Sequence, residues 1–236
     1  MKKAFTLAEV LITLGIIGVV AALTLPSVVQ NYQKRSLEVA TQKFYSVMSQ
    51  AIKQYMADEG VDDLRESALA QPDSACGEYS LTHKLDDEFL KKYLKAQICE
   101  DGCFADNYKT QDGSVIENFG KQSDDYHGRY LLPDGMVVDY MCFLVGKDAP
   151  GDLFVDINGR KGPNKIGYDL WSMSVFYDGV LDESGLTPEC RKYGNCDGNS
   201  PEFYREQRYE ACRGVGWGSY AGCFGHFLEN GFKFDY

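Results

Sequence analysis

The chain has 236 residues, with 35 Asp and Glu against 24 Lys and Arg and a formal net charge of −11 at pH 7. That length suffices for one domain with its own core, or for an anchor plus a compact domain. The acidic balance excludes a broad phosphate-binding surface, which needs clustered Lys and Arg, so no nucleic-acid partner is expected; the ordinary charged and apolar fractions exclude a disordered chain.

Lys2 and Lys3 precede an apolar run in which Glu9 is the single charge as far as Val29. The lysines place the amino terminus in the cytoplasm and the rest of the chain outside. Residues 5–29 reach the roughly 20 residues needed to span a bilayer. Gly18 and Pro26 loosen such a helix, since an interior proline removes one backbone hydrogen bond. A carboxylate among lipid tails is expensive and points to a function with a partner. A plain signal anchor needs no Glu9. A secretory signal cut after Val20-Ala21-Ala22 would put Glu9 where its core should be most apolar. Two alternatives stay open: a secreted, disulfide-containing binding domain or exported enzyme that starts at Leu23 after ordinary signal-peptidase cleavage, and a membrane-anchored binding protein that never polymerises.

The segment Lys2-Lys3-Ala4-Phe5-Thr6-Leu7-Ala8-Glu9, followed by about 20 apolar residues, resembles the leader of type IV pilins and type II secretion pseudopilins. The resemblance implies that residues 1–4 are a leader, that a prepilin peptidase cuts between Ala4 and Phe5, and that Phe5 is then N-methylated. It implies that Glu9 pairs with the freed amine of Phe5 on a neighbouring subunit when helices stagger along a filament. The partners implied are sister pilin or pseudopilin subunits, the peptidase, an inner-membrane assembly platform and membrane lipid. The implied location is the bacterial inner membrane, then a periplasmic pseudopilus or an extracellular pilus. Ala4 stands where glycine is usual in that family, and Ala8 where a larger aliphatic is usual.

Beyond Pro26, Leu37, Ala40, Phe44, Val47, Met48, Ala51, Ile52 and Tyr55 recur at three- and four-residue steps, predicting a helix with one buried face over residues 30–58. Lys34, Arg35, Glu38, Lys43 and Lys53 read as solvated. Gly60 is the expected stop. Residues 5 to about 58 then form one helix of roughly 80 Å. Residues 59–236 form the head. Its start, 60–82, is loop-like, and Phe89, Leu90, Tyr93 and Leu94 predict a short helix from Asp86 to about Gln97. Residues 105–128 read as a polar, turn-rich connection. Four β-rich runs follow (Arg129–Leu132, Met136–Val145, Leu153–Ile157 and Leu170–Tyr177), with Asp134-Gly135 as a hairpin signal.

In the loop 156–169, Asp156, Asn158 and Asp169 are oxygen ligands of the kind calcium takes, with glycines for tight turns, although Arg160, Lys161 and Lys165 add positive charge. Major pseudopilins, which the chain resembles, carry a calcium-stabilised loop; an ordinary Asx-capped turn is the alternative. Eight cysteines, Cys76, Cys99, Cys103, Cys142, Cys190, Cys196, Cys212 and Cys223, lie behind the export segment, an even count that argues for disulfides. Connectivity is not readable, and local pairing of Cys190 with Cys196 and Cys212 with Cys223 is the simplest guess. Residues 178–236 show little periodicity and read as a loop-rich, disulfide-held tail. No nucleophile elbow, HExxH or P-loop is present, so an enzyme is not expected. The expected fold is α+β and pilin-like, a long helix on an antiparallel sheet of about four strands.

Overall fold

The computed structural model describes residues 6–70, 88–99, 102–119, 128–142, 151–194, 196, 201–214 and 221–236; the side chains of 140–142 and 201–204 are excepted. Helix α1 runs without a break over Leu7–Glu59, through Gly18 and Pro26. Thr6 and Glu9 form its capping box, and Gly60 ends it at φ 70°, a left-handed position where a side chain would be strained. From Leu7 to Ser36 nearly every side chain is exposed, whereas Leu37, Phe44, Met48, Ala51, Ile52 and Tyr55 are buried. Two expectations for this face change. Val47 is exposed, and Glu38, read as solvated, is buried at 8 % exposure.

A 3-10 turn at Leu64–Glu66 follows α1. Helix α2 covers residues 88–94 and seats Phe89 and Tyr93 edge-on against Tyr55, with ring centroids 5.5 and 5.8 Å away. Tyr93 also donates to Asp58 near the end of α1 at 2.7 Å.

Among the described residues the main sheet is antiparallel throughout and has six strands, more than the four expected. They are β1 (Gln97–Ile98), β4 (Gly128–Leu131), β5 (Val137–Cys142), β6 (Gly151–Asp156), β7 (Leu170–Val175) and β8 (Leu181–Glu183), in the order β1-β4-β5-β6-β7-β8. A separate hairpin joins β2 (Tyr108–Lys109) to β3 (Val115–Ile116) inside the stretch read as a plain connection. The extra strands span only two or three residues, too few for an alternating pattern to register. The Pro133-Asp134-Gly135 turn joins β4 to β5 as expected, with Gly135 at φ 88°.

Register pairs Tyr130 with Val138, Val138 with Val155, Val155 with Trp171 and Leu153 with Met173, giving one apolar face. These side chains share a single core with Phe44, Met48 and Ile52 of α1. Residues 102–119 are tied to the opposite face, where Phe119 meets Phe154 edge-on at 5.5 Å and the Tyr108 hydroxyl donates to Asp156.

The last 59 residues are not a loop-rich tail. They carry β8, α3 (Pro188–Tyr193), α4 (Pro201–Arg213) and α5 (Cys223–Glu229). Among its described side chains α4 reaches β8 through Arg205 and Arg208, while Cys212 joins it to α5 and Tyr209 packs on the core; charged docking residues of this kind hid it from an apolar-period reading. The fold is α+β, a long N-terminal helix on an antiparallel sheet with disulfides.

Candidate functional site

Three features stand out: the protruding half of α1, the 156–169 loop, and the neck where α1 leaves the head. Among the described residues α1 is the one helix long and apolar enough to cross a membrane. Near its start, Glu9 Oε2 accepts from Thr6 N at 2.8 Å and from the Thr6 hydroxyl at 2.9 Å. Thr6 Oγ1 in turn accepts from Glu9 N at 3.3 Å. One carboxylate oxygen is thus satisfied by the capping box, and Oε1 has no partner among the described residues. Ala4 and Phe5, the expected cleavage and methylation residues, lie outside the described residues, as does Cys76.

The loop between β6 and β7 brings Asp156, Asn158 and Asp169 together. Asp156 accepts from the Tyr108 hydroxyl and from Asn158 N (3.0 Å), and Asp169 from Asn164 N (2.7 Å) and Lys165 N (2.6 Å). Both acids are fully buried. Burial pushes Asp156 up to about 8, helped by the nearby charge of Asp169, and pushes Asp169 up to about 6. The amide oxygens of Asn158 and Asn164 are buried without a donor. Two buried acids beside two orphaned amide oxygens form a hard, electron-rich donor set that fits calcium in kind. Among the described residues no group of three or more His, Cys, Asp or Glu could hold a metal, so any such site would draw on amide and main-chain oxygens as well.

The neck is closed by the end of the chain. Glu38 accepts from Lys233 Nζ and Phe234 N, each at 3.0 Å, and Lys34 Nζ donates to the main-chain oxygen of Tyr236 at 2.5 Å. The Tyr236 hydroxyl donates to Gly167 O at 2.5 Å, and His226 Nε2 faces Asp235 at 3.0 Å. Phe234 stacks on Tyr168 at 5.1 Å and lies parallel to Trp171 at 6.1 Å, while Phe232 reaches Tyr45 of α1 at 5.2 Å. The sequence reading drew no meaning from this ending. Its signal was the recurrence of Phe232, Phe234 and Tyr236 between Lys233 and Asp235, apolar rings to pack interleaved with charges to pair.

A second polar cluster fixes α4. Arg208 Nε meets Glu183 Oε1 at 2.5 Å, and Arg205 Nη2 meets both oxygens of Asp182 at 3.0 and 2.9 Å. Their spacing of three on one helix, opposite adjacent acids on β8, was legible in principle. Gly225 of α5 packs so closely on Glu183 that a Cβ there would overlap its carboxylate. Three disulfides lie among the described residues, Cys99–Cys103, Cys190–Cys196 and Cys212–Cys223, and the last ties α4 to α5. Cys142 lies on β5; its side chain is outside the described residues.

A profile of a family of unknown function (DUF6613) matches residues 27–132, from just after Pro26 within α1 to just past β4. No curated protein and no solved structure matches the chain.

Proposed function

We propose that the chain is a pilin-like structural subunit of a type IV pilus or a type II secretion pseudopilus. It is held in the inner membrane by residues 5–29, with its head outside, until it is drawn into a filament. The observation that carries the reading is the division of labour along α1. One continuous helix leaves Leu7–Ser36 exposed and apolar for most of its length, then buries Leu37 to Tyr55 under the head. A signal to be cut off has no need to continue as the central core helix of the mature domain.

Glu9 supports the same reading. Its Oε2 is satisfied within its own helix while Oε1 remains for an incoming amine, so docking adds a charge-assisted bond without first leaving a bare carboxylate in lipid. Cleavage before Phe5 would supply that amine. Intact mass of the exported protein tests this directly: a methylated start at Phe5 is expected, and a start at Leu23 sinks the reading. Glu9→Val should insert in the membrane normally yet lose filament incorporation by tenfold or more, on the order of the 1.4 kcal/mol or more that a charge-assisted pair is worth. Unchanged incorporation, scored by shearing and immunoblot, would strip Glu9 of its docking role, and absence of the parent chain from sheared filaments would leave a membrane-anchored binding protein instead.

We also propose that the 156–169 loop takes calcium, with Asp156, Asp169 and the amide oxygens of Asn158 and Asn164 as its donors. The ion would supply the positive charge that two buried acids lack. Saturating calcium at about 100-fold over Kd should stabilise the head by about 2.7 kcal/mol. Calorimetry with and without chelator reads it, and Asn158→Ala should blunt the response. A Tm indifferent to calcium would leave the loop as an Asx-capped turn.

A further inference from the structure

At the base of the head an open groove of about 480 Å³ lies beside the neck. Tyr236 lines it, and Lys34 of α1 holds the main-chain oxygen of that same residue. The apolar stretch Val10–Val29 spans about 30 Å as a helix, the thickness of the hydrocarbon layer. Lys34 follows five residues on, about 7.5 Å further, where the polar headgroups of the outer leaflet lie. The Tyr236 wall of the groove therefore lies at headgroup height.

Its walls carry both signs of charge. Lys165 Nζ sits 4.7 Å above the Tyr168 ring and has no carboxylate partner among the described residues. Arg213 shares an exposed pair with Glu210 at 3.2 Å, which leaves most of its guanidinium N–H groups unspent. Gln111 lines the same groove, its side-chain amide beside the Tyr236 hydroxyl. Against these donors stand the carboxylates of Glu210 and Asp112. A lone anion would meet those carboxylates, and a lone cation would meet Lys165 and Arg213. A phosphodiester bearing an ammonium a few bonds away matches both halves. Tyr168 and Tyr236 add the amphipathic rings that favour a membrane–water boundary. The net charge of −11 argues against an anionic lipid, whose surface potential would repel the head.

We propose that this groove seats the headgroup of a zwitterionic phospholipid carrying a primary ammonium, of the phosphatidylethanolamine class, and so rests the head on the bilayer before assembly. The phosphate lies against Lys165 and Arg213, and the ammonium donates to Glu210 and Asp112. The proposal rests on α1 spanning the membrane.

The full-length chain, reconstituted in vesicles of phosphatidylethanolamine with phosphatidylcholine or of phosphatidylcholine alone, tests it by hydrogen exchange. Backbone amides at 109–112, 165–168 and 209–213 should exchange about threefold or more slowly with phosphatidylethanolamine. Lys165→Gln should abolish that difference without changing the Tm of the head. Equal rates in both vesicles, with α1 residues 10–29 protected, overturn the groove and leave the anchor standing. Exchange of residues 10–29 in both vesicles overturns the anchor and the groove together. Equal protection by soluble glycerophosphoethanolamine in phosphatidylcholine vesicles overturns the assignment to a membrane lipid.

Discussion

Arg208→Met should cost the head about 3–5 kcal/mol at pH 8, the range expected when one partner of a buried ion pair is removed and the other stays behind. Glu183 has no solvent exposure, and Arg208 is its close partner at 2.5 Å; Arg205 stands off at 3.8 Å and is spent on Asp182. Methionine keeps much of the arginine stem, so the loss reports the charge rather than a cavity. The pH dependence separates this from simple misfolding. Burial pushes Glu183 up to about 7, against the pull of Arg208 and Arg205. A carboxyl whose folded pKa lies above its unfolded value contributes stability that is intact below the unfolded pKa and declines as pH rises through about 7. Without Arg208 that decline deepens. The variant should therefore be close to the parent at pH 5, where Glu183 is protonated in both, and far below it at pH 8. Urea unfolding followed by tryptophan fluorescence measures both, since buried Trp171 abuts α5. An equal loss at the two pH values would mean that the pair contributes packing alone.

Deleting residues 232–236 should cost about 3 kcal/mol or more and loosen the neck. The deletion takes both donors from Glu38, hydrogen bonds to a charged group being worth about 1.5–3 kcal/mol, and strips Phe234 from Trp171. It also frees Lys34, so α1 loses both polar ties to the end of the chain. Amides of α1 around 34–45 should exchange faster, while those near Tyr55, packed by α2, should hold their protection. Glu38→Gln, which keeps an acceptor for Phe234 N but gives up the charge, should show a smaller part of the same change. If α1 exchange is unaltered by the deletion, the ending is an ornament on the head and not its fastening.

The parts legible in the sequence were those governed by local or periodic rules. The buried stripe from Leu37 to Tyr55 and the stop at Gly60 gave α1 nearly to the residue, because a long helix repeats its signal many times. Four strands and the Asp134-Gly135 turn were readable for the same reason. Glu38 was misread because local pattern treats a carboxylate beside apolar neighbours as solvated. Its partners Lys233 and Phe234 come from nearly 200 residues away. Helix α4 was missed because it docks by Arg205 and Arg208, residues that ordinarily mark an exposed face. The loop 156–169 was singled out for its oxygens, but only the fold shows that Asp156 and Asp169 are buried side by side with Tyr108 on one of them.

The outermost strands of the main sheet, two residues long at β1 and three at β8, have a consequence for crowding. In the filament proposed above, identical sheets would come within reach of one another, and an open edge of backbone donors and acceptors invites strand after strand to add on in the wrong direction. Here one margin offers too short a run to template such growth, and the other lies under Arg205, Arg208 and the packed turn of α5. In such a filament order between copies would be left to the protruding helix, and the heads could sit shoulder to shoulder without knitting together.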